Sequence, residues 1–352
     1  MARELTEREK EVLGLIIQNF ILTATPVGSR FLSKRSDLGL SDATIRNVMA
    51  DLEEEGYITH PHTSAGRVPT DKGYRLYVSS MMRVGTLSHT ERAKIDQNIE
   101  QIVATAQDSD DILRESSRIL GKISRQIGIV LSPKLSKGVF EKLEIVSLSS
   151  NKIMVIISIQ SGLVKTIVLE AHSDVPRSKL DALAQMLNER LSGLTLEEIR
   201  QSFPERIADC TDDTGLIRVF IDSAERLFDN PPDTDRLHVA GTENILAYPE
   251  FEKREKIRGI IELIENENVI VHLLEEVGSA DTSSTIEGVS IRIGKENHDS
   301  KMKECSIVTA QYSVGNAVGT VGVIGPTRMD YSKVVRVINY MAKRLSATLT
   351  QI

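Results

Sequence analysis

The stretch from Ser41 to Glu55 constrains this chain most, because its apolar residues recur with the period of a helix that is buried along one face only. Ser41 is a typical helix N-cap, and four acids gather at the far end of the stretch. The apolar positions are Ile45, Val48, Met49 and Leu52, and the opposite face with its flanks carries Ala43, Thr44, Arg46, Asn47 and Ala50. A helix that reads DNA works from its N-terminal end, where short polar side chains reach base edges and acids would repel phosphate. The pattern therefore predicts a DNA-reading helix.

The residues before this stretch predict the first two helices of a helix-turn-helix. Thr6 and Glu9 form a capping box for a first helix that we expect to end near Asn19, before Thr25-Pro26 breaks the chain. A second helix is expected from Val27 or Gly28 to about Asp37, followed by a tight turn at Gly39. Its inward residues are predicted to be Phe31 and Leu32, and its outward residues Arg30, Lys34 and Arg35.

Two short strands, Tyr57 to Thr59 and Arg67 to Thr70, are predicted to form a wing after these helices. We expect Gly66 and Arg67 at its tip, beside the DNA backbone. The candidate DNA-binding residues are Ser41, Ala43, Thr44, Arg46, Asn47, Ala50, Arg67, Lys72, Arg75, Arg30 and Lys34.

Charge supports DNA binding by its distribution rather than by its total. Residues 1–83 carry 11 Lys or Arg against 11 Asp or Glu, and a winged helix that binds protein would look similar. However, residues 27–47 hold four basic and two acidic side chains, and residues 60–83 hold four basic and one acidic. The net charge of -7 over all 352 residues favours a specific binder with a confined basic surface over a protein that coats nucleic acid.

Length and composition indicate a cytoplasmic protein of two or three domains. No apolar run is long enough to span a bilayer, so no membrane association is expected. The start lacks the apolar core of a secretory signal, and two cysteines 95 positions apart suggest a reducing compartment.

The order of elements beyond residue 85 predicts one domain inserted into another. Charged helical segments up to Gln126, with Val103 in the buried stripe, lead into a buried strand from Ile127 to Leu131. A three-stranded antiparallel meander and about four helices follow, and the chain then returns to strands and a closing helix from Tyr331 to Leu349. A helix from Lys253 to Asn266 is expected to point Ile261 inward, and Val269 to Leu274 is ambiguous. An α+β sheet domain interrupted at about 136–235 explains this order most simply.

Motifs for catalysis, metals and cofactors are weak. Cys210 and Cys305 have no cysteine or histidine partner at metal-ligand spacing, and no nucleophile, base and orienting group recur together. Four glycines in a β pattern are expected to mark bulges and turns rather than a phosphate loop; they are Gly315, Gly319, Gly322 and Gly325. Arg328, Asp330 and Tyr331, at a strand-to-helix turn, are open to three interpretations: a small-molecule pocket, a subunit contact or a structural cap. No enzyme activity, metal or cofactor is predicted.

Four strings resemble the heat-inducible transcription repressor HrcA family of bacteria. They are LSDATIRNVMADLE from Leu40 to Glu53, HTSAGRVPTDKGYR from His62 to Arg75, IGKEN from Ile293 to Asn297, and GVIGPTRMDY from Gly322 to Tyr331. The resemblance implies a winged helix-turn-helix, a GAF-like domain and an inserted dimerisation domain. With the element order, we place these at 1–85, at 86–135 together with 236–352, and at 136–235.

The resemblance also implies a function. The family represses chaperone operons such as groE and dnaK by binding an inverted-repeat operator in double-stranded DNA, and the chaperonin GroEL keeps the repressor competent. A homodimer fits this function physically, because two winged helices at fixed spacing add their specific binding free energies. The alternative is a ligand-sensing winged-helix regulator that uses the GAF-like domain as a small-molecule receptor.

Overall fold

The computed structural model describes residues 3–35, 39–61, 66–106, 108–160, 163–171, 175–209, 215–229, 236–275 and 285–350. The predicted α+β class is confirmed. The first elements, which we call the N-terminal unit, are α1 (Glu7–Thr23), α2 (Ser29–Arg35), α3 (Asp42–Glu54), β1 (Ile58–Thr59), β2 (Val68–Pro69) and α4 (Asp71–Leu76). A π-helical turn, Tyr77–Met81, follows.

Helix α1 starts where the sequence predicts and ends later. The Thr6 hydroxyl accepts from the Glu9 amide at 3.3 Å, and the Glu9 carboxylate accepts from the Thr6 amide at 2.7 Å, which completes the capping box. The expected end near Asn19 is wrong, because the helix continues to Thr23 and closes with Ala24 in the left-handed conformation. Within the helix the Asn19 side-chain amide donates to the Leu15 carbonyl at 2.9 Å.

The next elements carry the chain into a six-stranded sheet. They are α5 (His89–Thr105), α6 (Ser109–Ser124) and β3 (Ile127–Leu131). The sequence predicts a break between two helices at Asp108 to Asp111; the break lies earlier, because Asp108 caps α6 and the helix includes Asp110 and Asp111. The expectation that Val103 is buried is wrong: it is an exposed side chain, whereas Ile95, Ile99 and Ile102 form the packed stripe.

A separate three-stranded antiparallel sheet follows, as predicted. Its strands are β4 (Phe140–Ser149), β5 (Lys152–Ile159) and β6 (Val164–Glu170), in the order β4-β5-β6. Helices α7 (Arg177–Leu191), α8 (Leu196–Arg206), α9 (Leu216–Asp222) and α10 (Ala224–Phe228) complete what we call the three-stranded unit. The sequence pattern predicts two short helices at 195–201 and 205–209, but they are one helix, α8, with Pro204 inside it. It also predicts one helix at 215–228, which is divided at Ser223 into α9 and α10.

The chain then returns to the first sheet. The remaining elements are β7 (Leu237–Ala240), α11 (Arg254–Glu265), α12 (Glu267–Glu275), β8 (Thr285–Ile286), β9 (Val289–Ile293), β10 (Cys305–Val314), β11 (Ala317–Pro326) and α13 (Tyr331–Leu349). The strand order is β7-β3-β11-β10-β9-β8 and every pair is antiparallel. Strand β3, which precedes the three-stranded unit, therefore pairs with β7, which follows it.

Both faces of the six-stranded sheet are covered. Helices α6 and α13 pack on one face, and α11 and α12 contribute to a second apolar cluster against the other. The ambiguous segment from Val269 to Leu274 belongs to α12, and Ile261, expected inward, is 48% exposed. We call this sheet with its helices the sheet unit.

The glycines of β10 and β11 allow close contacts rather than bulges. The two strands pair in unbroken register from Cys305↔Pro326 to Val314↔Ala317, so the expected bulges are absent from this hairpin. A Cβ added to Gly319 would lie 2.3 Å from the Tyr312 ring, and one added to Gly322 would lie 2.5 Å from the Val308 carbonyl oxygen. Only Gly315, with φ of 58°, serves a turn.

Candidate nucleic-acid interface

Helix α3 presents the face that the sequence predicts. Ser41 caps it, because its hydroxyl accepts from the Thr44 amide at 3.2 Å. Ile45, Val48, Met49 and Leu52 are buried, and the helix packs against α1 and α2. The exposed residues on or beside its N-terminal half are Ser41, Ala43, Arg46, Asn47 and Ala50, with Thr44 half-buried. The side chains near the helix start are therefore small, amide-bearing or cationic.

Helix α2 adds cations beside this face. Arg30, Lys34 and Arg35 are exposed, and Leu32 supplies the buried contact. The prediction that Phe31 points inward is wrong, because the side chain is 36% exposed and lies 5.0 Å beneath the Arg35 guanidinium. A seven-residue helix buries only a narrow stripe, and Leu32 alone occupies it. We call the exposed residues of α2 and the start of α3 the reading face.

The acids at the end of α3 are partly neutralised within the N-terminal unit. Arg67 donates from Nε to a Glu53 carboxylate oxygen at 2.7 Å, and His60 pairs with the other oxygen. Burial raises the pKa of Glu53, but the hydrogen bond from His60 and the charge of Arg67 outweigh it, so the pKa lies below its usual value. Glu53 is thus held ionised between two side chains of the β1–β2 region.

Arg67 lies at the loop end of the β1–β2 pair, directly before β2. Its amide donates to the Val27 carbonyl at 2.8 Å, and the Val27 amide donates back at 2.9 Å. Gly66 allows this approach, since a Cβ there would lie 2.6 Å from the Val27 carbonyl carbon. Backbone pairing thus holds Arg67 against the segment before α2, and the contact of Gly66 and Arg67 with the DNA backbone stays a prediction. The residues His62 to Ala65 of the predicted wing lie outside the described part of the chain.

Two other predicted contacts are engaged elsewhere. The Lys72 ammonium donates to the Glu55 carbonyl at 2.6 Å and lies 4.2 Å from the Tyr57 ring centroid, so it caps the C-terminal end of α3. Arg75 reaches the sheet unit, where its guanidinium bonds Glu296. The geometry does not support the prediction that Arg75 contacts DNA, because its charge is already matched by that carboxylate.

The strand-to-helix turn near Arg328 is structural. Arg328 pairs with Glu250, Asp330 caps α13 by accepting from the Lys333 amide at 3.0 Å, and the Tyr331 hydroxyl lies 2.7 Å from the Ser306 hydroxyl. Burial raises the pKa of Tyr331 well above its usual value. Of the three interpretations the sequence left open, the structural cap therefore describes these residues.

A cavity of about 370 Å³ opens at a different edge of the sheet unit. It is lined by cations and neutral polar groups together with a few apolar side chains. Its basic residues are Lys134, Lys137 and Arg236, its acid is Glu275, and its other polar residues are Gln311, Asn316 and Thr320. Glu275 pairs with Lys134 at 2.8 Å and with Arg236 at 3.1 Å. The lining therefore carries an excess of positive charge.

The described residues hold little that suggests metal or thiol chemistry. Among them, no three His, Cys, Asp or Glu side chains converge as a metal site would require. Burial raises the pKa of the Cys305 thiol to about 12, and Cys210 lies outside the described ranges. Within those ranges no helix is both long and apolar enough to cross a bilayer.

Sequence reasoning missed the residues that join the N-terminal unit to the sheet unit. Arg75, Glu296 and Arg328 each belong to a string quoted above. Arg75 and Glu296, which pair with each other, are 221 positions apart in the sequence. Charged side chains inside otherwise apolar turn segments were the available signal.

Comparison with known proteins points in one direction. Residues 110–335 match the family model described as HrcA protein C terminal domain. The chain is 50% identical to a protein of Chlorobium phaeobacteroides (strain BS1), over 99% of this chain and all of that protein. It is 51% identical to a protein of Prosthecochloris aestuarii (strain DSM 271 / SK 413), over 99% of each. Both relatives are named heat-inducible transcription repressor HrcA.

A solved structure shares the fold. The crystal structure of a hypothetical protein at 2.2 Å resolution superposes with a TM-score of 0.62 and covers 99% of both chains, at 24% sequence identity. The arrangement of helices and sheets described above is thus found in a second protein over the full length.

Proposed function

The chain belongs to the HrcA family of heat-inducible transcription repressors, and we propose that its N-terminal unit is a winged helix-turn-helix that binds the operator. Its function is repression of heat-inducible transcription. The observation that carries the DNA-binding site is the reading face: α3 is buried along Ile45 and Leu52 but exposes Arg46 and Asn47 near its start. Such a face suits the major groove, which accepts the N-terminal half of a helix.

We assign the reading face separate roles for bases and phosphates. Asn47 has an amide that can bond adenine in a bidentate manner, and Ala43 and Ala50 leave room for the groove edges or a thymine methyl group. Arg30, Lys34 and Arg46 carry charges that can neutralise phosphates. Ser41 and Thr44, whose hydroxyls lie 2.9 Å apart, fix the helix start. Arg67 and Lys72 stabilise the C-terminal end of α3, where Arg67 bonds Glu53 and Lys72 bonds the Glu55 carbonyl.

We propose that residues 86–135 and 236–352 form a GAF-like domain and that 136–235 form an inserted dimerisation domain. The pairing of β3 with β7 supports this division, because both ends of the three-stranded unit then meet at adjacent strands of one sheet. The family model covers parts of both regions without a break.

The outer face of the three-stranded sheet supports a homodimer. Its side chains alternate between a buried face and an outer face on which apolar side chains lie among Glu144, Lys152, Thr166 and Glu170. Val146 pairs across the strands with Met154, and Met154 with Val168, so these three form a continuous row. The exposed apolar members of the sheet are Val146, Leu148, Val164 and Val168. A second copy of the chain is the partner we propose for this face, since a symmetric repressor must pair two reading faces.

Family membership supports the remaining partners. We propose that the dimer binds an inverted repeat upstream of chaperone operons such as groE and dnaK, and that GroEL keeps it competent. Unfolded clients that accumulate on heating would then draw the chaperonin away and release the operons from repression.

Gel shift with an inverted-repeat fragment from upstream of the organism's own chaperone operon tests the proposal. We expect one complex with the intact repeat, and loss of that complex when either half-site is scrambled. Equal binding to the intact and the doubly scrambled repeat would overturn it. A Val168→Asp variant, compared with Leu246→Asp at an exposed apolar side chain outside this sheet, should dissociate more readily in analytical ultracentrifugation if the apolar row forms the dimer.

A second candidate function is control by a small anion in the sheet unit. The lining of the 370 Å³ cavity favours it, because Glu275, which pairs with Lys134 and Arg236, and Glu197, which pairs with Lys137, offset only part of the charge of these three cations. Citrate and inorganic phosphate should then raise the thermal midpoint of the wild type but not of Lys137→Glu. Equal shifts in both proteins would count against this site.

A further inference from the structure

Three strings that carry the family resemblance meet at one junction in the structure. The N-terminal unit contributes the string that ends at Arg75, and the sheet unit contributes the strings at 293–297 and 322–331. We call the four charged side chains at this contact the junction set; they are Asp71, Arg75, Glu296 and Arg328. The proposed DNA contacts on the reading face include none of them.

Arg75 attaches helix α4 to the turn after β9. Its Nε donates to Glu296 Oε1 at 2.6 Å, and Nη2 bonds both Glu296 Oε2 and the Ile291 carbonyl, the latter at 2.6 Å. Glu296 is itself oriented, because it accepts from the Ile293 amide at 2.8 Å. A guanidinium held by a carboxylate fork and a backbone carbonyl has little rotational freedom.

Asp71 makes a second contact one helical turn away on α4. Its Oδ2 accepts from the Lys295 amide at 3.1 Å. The carboxylate lies over Gly294, where φ is 52° and an added Cβ would be 2.4 Å from Asp71 Cγ. Any larger residue at position 294 would therefore push α4 away from the sheet unit. Between Asp71 and Arg75, the rings of Tyr74 and Tyr331 pack with centroids 6.0 Å apart.

Arg328 holds the N-terminal unit at a different element. Its Nη1 donates to the Ile21 carbonyl at 2.7 Å, in the last turn of α1. That carbonyl belongs to the end of the helix where intrahelical donors run out and where the helix dipole favours a cation. Arg328 is only 9% exposed, and its remaining nitrogens bond Glu250. The guanidinium is thus fixed within the sheet unit before it reaches α1.

We propose that the junction set positions the reading face by fixing the rotation of the N-terminal unit on the sheet unit, and so sets the operator half-site spacing that the dimer accepts. If α4 made the only contact, the N-terminal unit could still rotate about that contact. The second contact, between Arg328 and the end of α1, prevents this rotation. The segment Met82–Ser88 between the two units is also held to α13, where the Ser332 hydroxyl donates to the Arg83 carbonyl at 3.1 Å and Arg336 Nη1 donates to the Thr86 carbonyl at 3.2 Å. The inference rests on the proposed binding of an inverted repeat by a dimer.

Operator spacing provides the test. Glu296→Lys places a cation against Arg75, and Glu265→Lys is the matched control, with the same charge change at an exposed position on α11. An insertion of 5 base pairs between half-sites rotates one of them to the opposite side of the duplex. We expect the insertion to cost wild type and Glu265→Lys about 100-fold in affinity, but Glu296→Lys less than about 5-fold, because a loosely held unit loses the advantage of fixed geometry. Glu296→Gln keeps one acceptor oxygen but replaces the other with an amide donor and removes the charge, so its spacing penalty should lie between those of wild type and Glu296→Lys.

Hydrogen exchange gives a readout that needs no DNA. The Lys295 amide donates to Asp71 across the junction, so its exchange reports opening directly. We expect it to exchange at least about 10-fold faster in Glu296→Lys than in wild type, while amides within β10 are unchanged.

The two readouts separate the possible failures. If wild type does not prefer the intact repeat, the proposed operator binding is wrong, and the exchange experiment still decides whether these residues hold the junction closed. If wild type prefers the repeat and Glu296→Lys opens the junction but keeps the full spacing penalty, the positioning role is overturned. Unchanged Lys295 exchange in Glu296→Lys would overturn it as well.

Discussion

The reading face and the junction use the same kind of side chain in opposite ways. Arg30 and Arg46 are exposed, and the described part of the chain offers neither of them an ion pair. Arg75 and Arg328 are each matched by a carboxylate and a backbone carbonyl. An exposed arginine can exchange its counterions for a phosphate. An arginine that is paired within the protein already has a carboxylate in place of those counterions. The comparison teaches that the partner of an arginine, rather than its place near a DNA-binding motif, determines its role.

The largest contrast should appear in stability. Arg328→Ala removes the partner of Glu250 and uncaps the Ile21 carbonyl, so we expect the free energy of unfolding to fall by about 3 kcal/mol. Arg46→Ala should change it by less than about 0.5 kcal/mol. Urea unfolding followed by circular dichroism measures both. Equal losses would remove the distinction between the two regions.

The next effect concerns base recognition. Asn47→Ala should weaken binding to the intact operator by about 1–3 kcal/mol if the amide reads adenine, and should leave binding to unrelated DNA unchanged. Fluorescence anisotropy titrations with both DNAs test this, with Asn98→Ala on α5 as the control. A loss of the same size on both DNAs would assign Asn47 to the phosphate backbone.

A smaller effect separates the arginines by salt dependence. Arg46→Ala should lower the slope of log affinity against log salt concentration by about 1, because one phosphate contact is lost. Arg75→Ala should leave the slope unchanged, since Glu296 already neutralises that charge. A lower slope for Arg75→Ala would show that Arg75 contacts DNA phosphate, and it would contradict the distinction drawn between the reading face and the junction.

The smallest effect is a pH dependence within the N-terminal unit. The pKa of Glu53 is lowered from 4.5 in the folded protein, so its ion pair contributes fully above that pH and is lost as pH falls through the folded pKa. Thermal unfolding between pH 6 and pH 3 should therefore show a steeper loss of stability in wild type than in Glu53→Gln. The loss should be modest, because the Glu53 side chain is 24% exposed.

Local sequence patterns predicted most of the elements. The capping box of Thr6 and Glu9, the N-cap at Ser41, the meander and the bounds of α13 are all confirmed. These features depend on residues within a few positions of one another, so a single sequence contains their cause. The end of α1 was wrong because the turn that stops it follows Thr23, beyond the apolar stripe that marked its middle.

Patterns failed where distant residues decide the outcome. The glycines of the β10–β11 hairpin suggested bulges, but Tyr312 and Thr309 across the strands require the space. Phe31 was expected inward on its apolarity, but α2 is too short to bury it beside Leu32. For the glycines, the deciding neighbours lie on the adjacent strand. For Phe31, the deciding factor is the length of α2, which ends at Arg35.

The sequence by itself predicted a DNA-reading helix and determined the repressor family and the α+β class, because helix periodicity, capping and the four quoted strings are local properties of the chain. Only the tertiary structure decided which cations are already paired within the protein. Arg46 and Arg75 carry the same charge and lie in strings of equal family resemblance, but Glu296, 221 positions along the chain, meets only one of them. Electrostatic pairing depends on distance in space, and that distance exists only after the sheet unit has folded against α4.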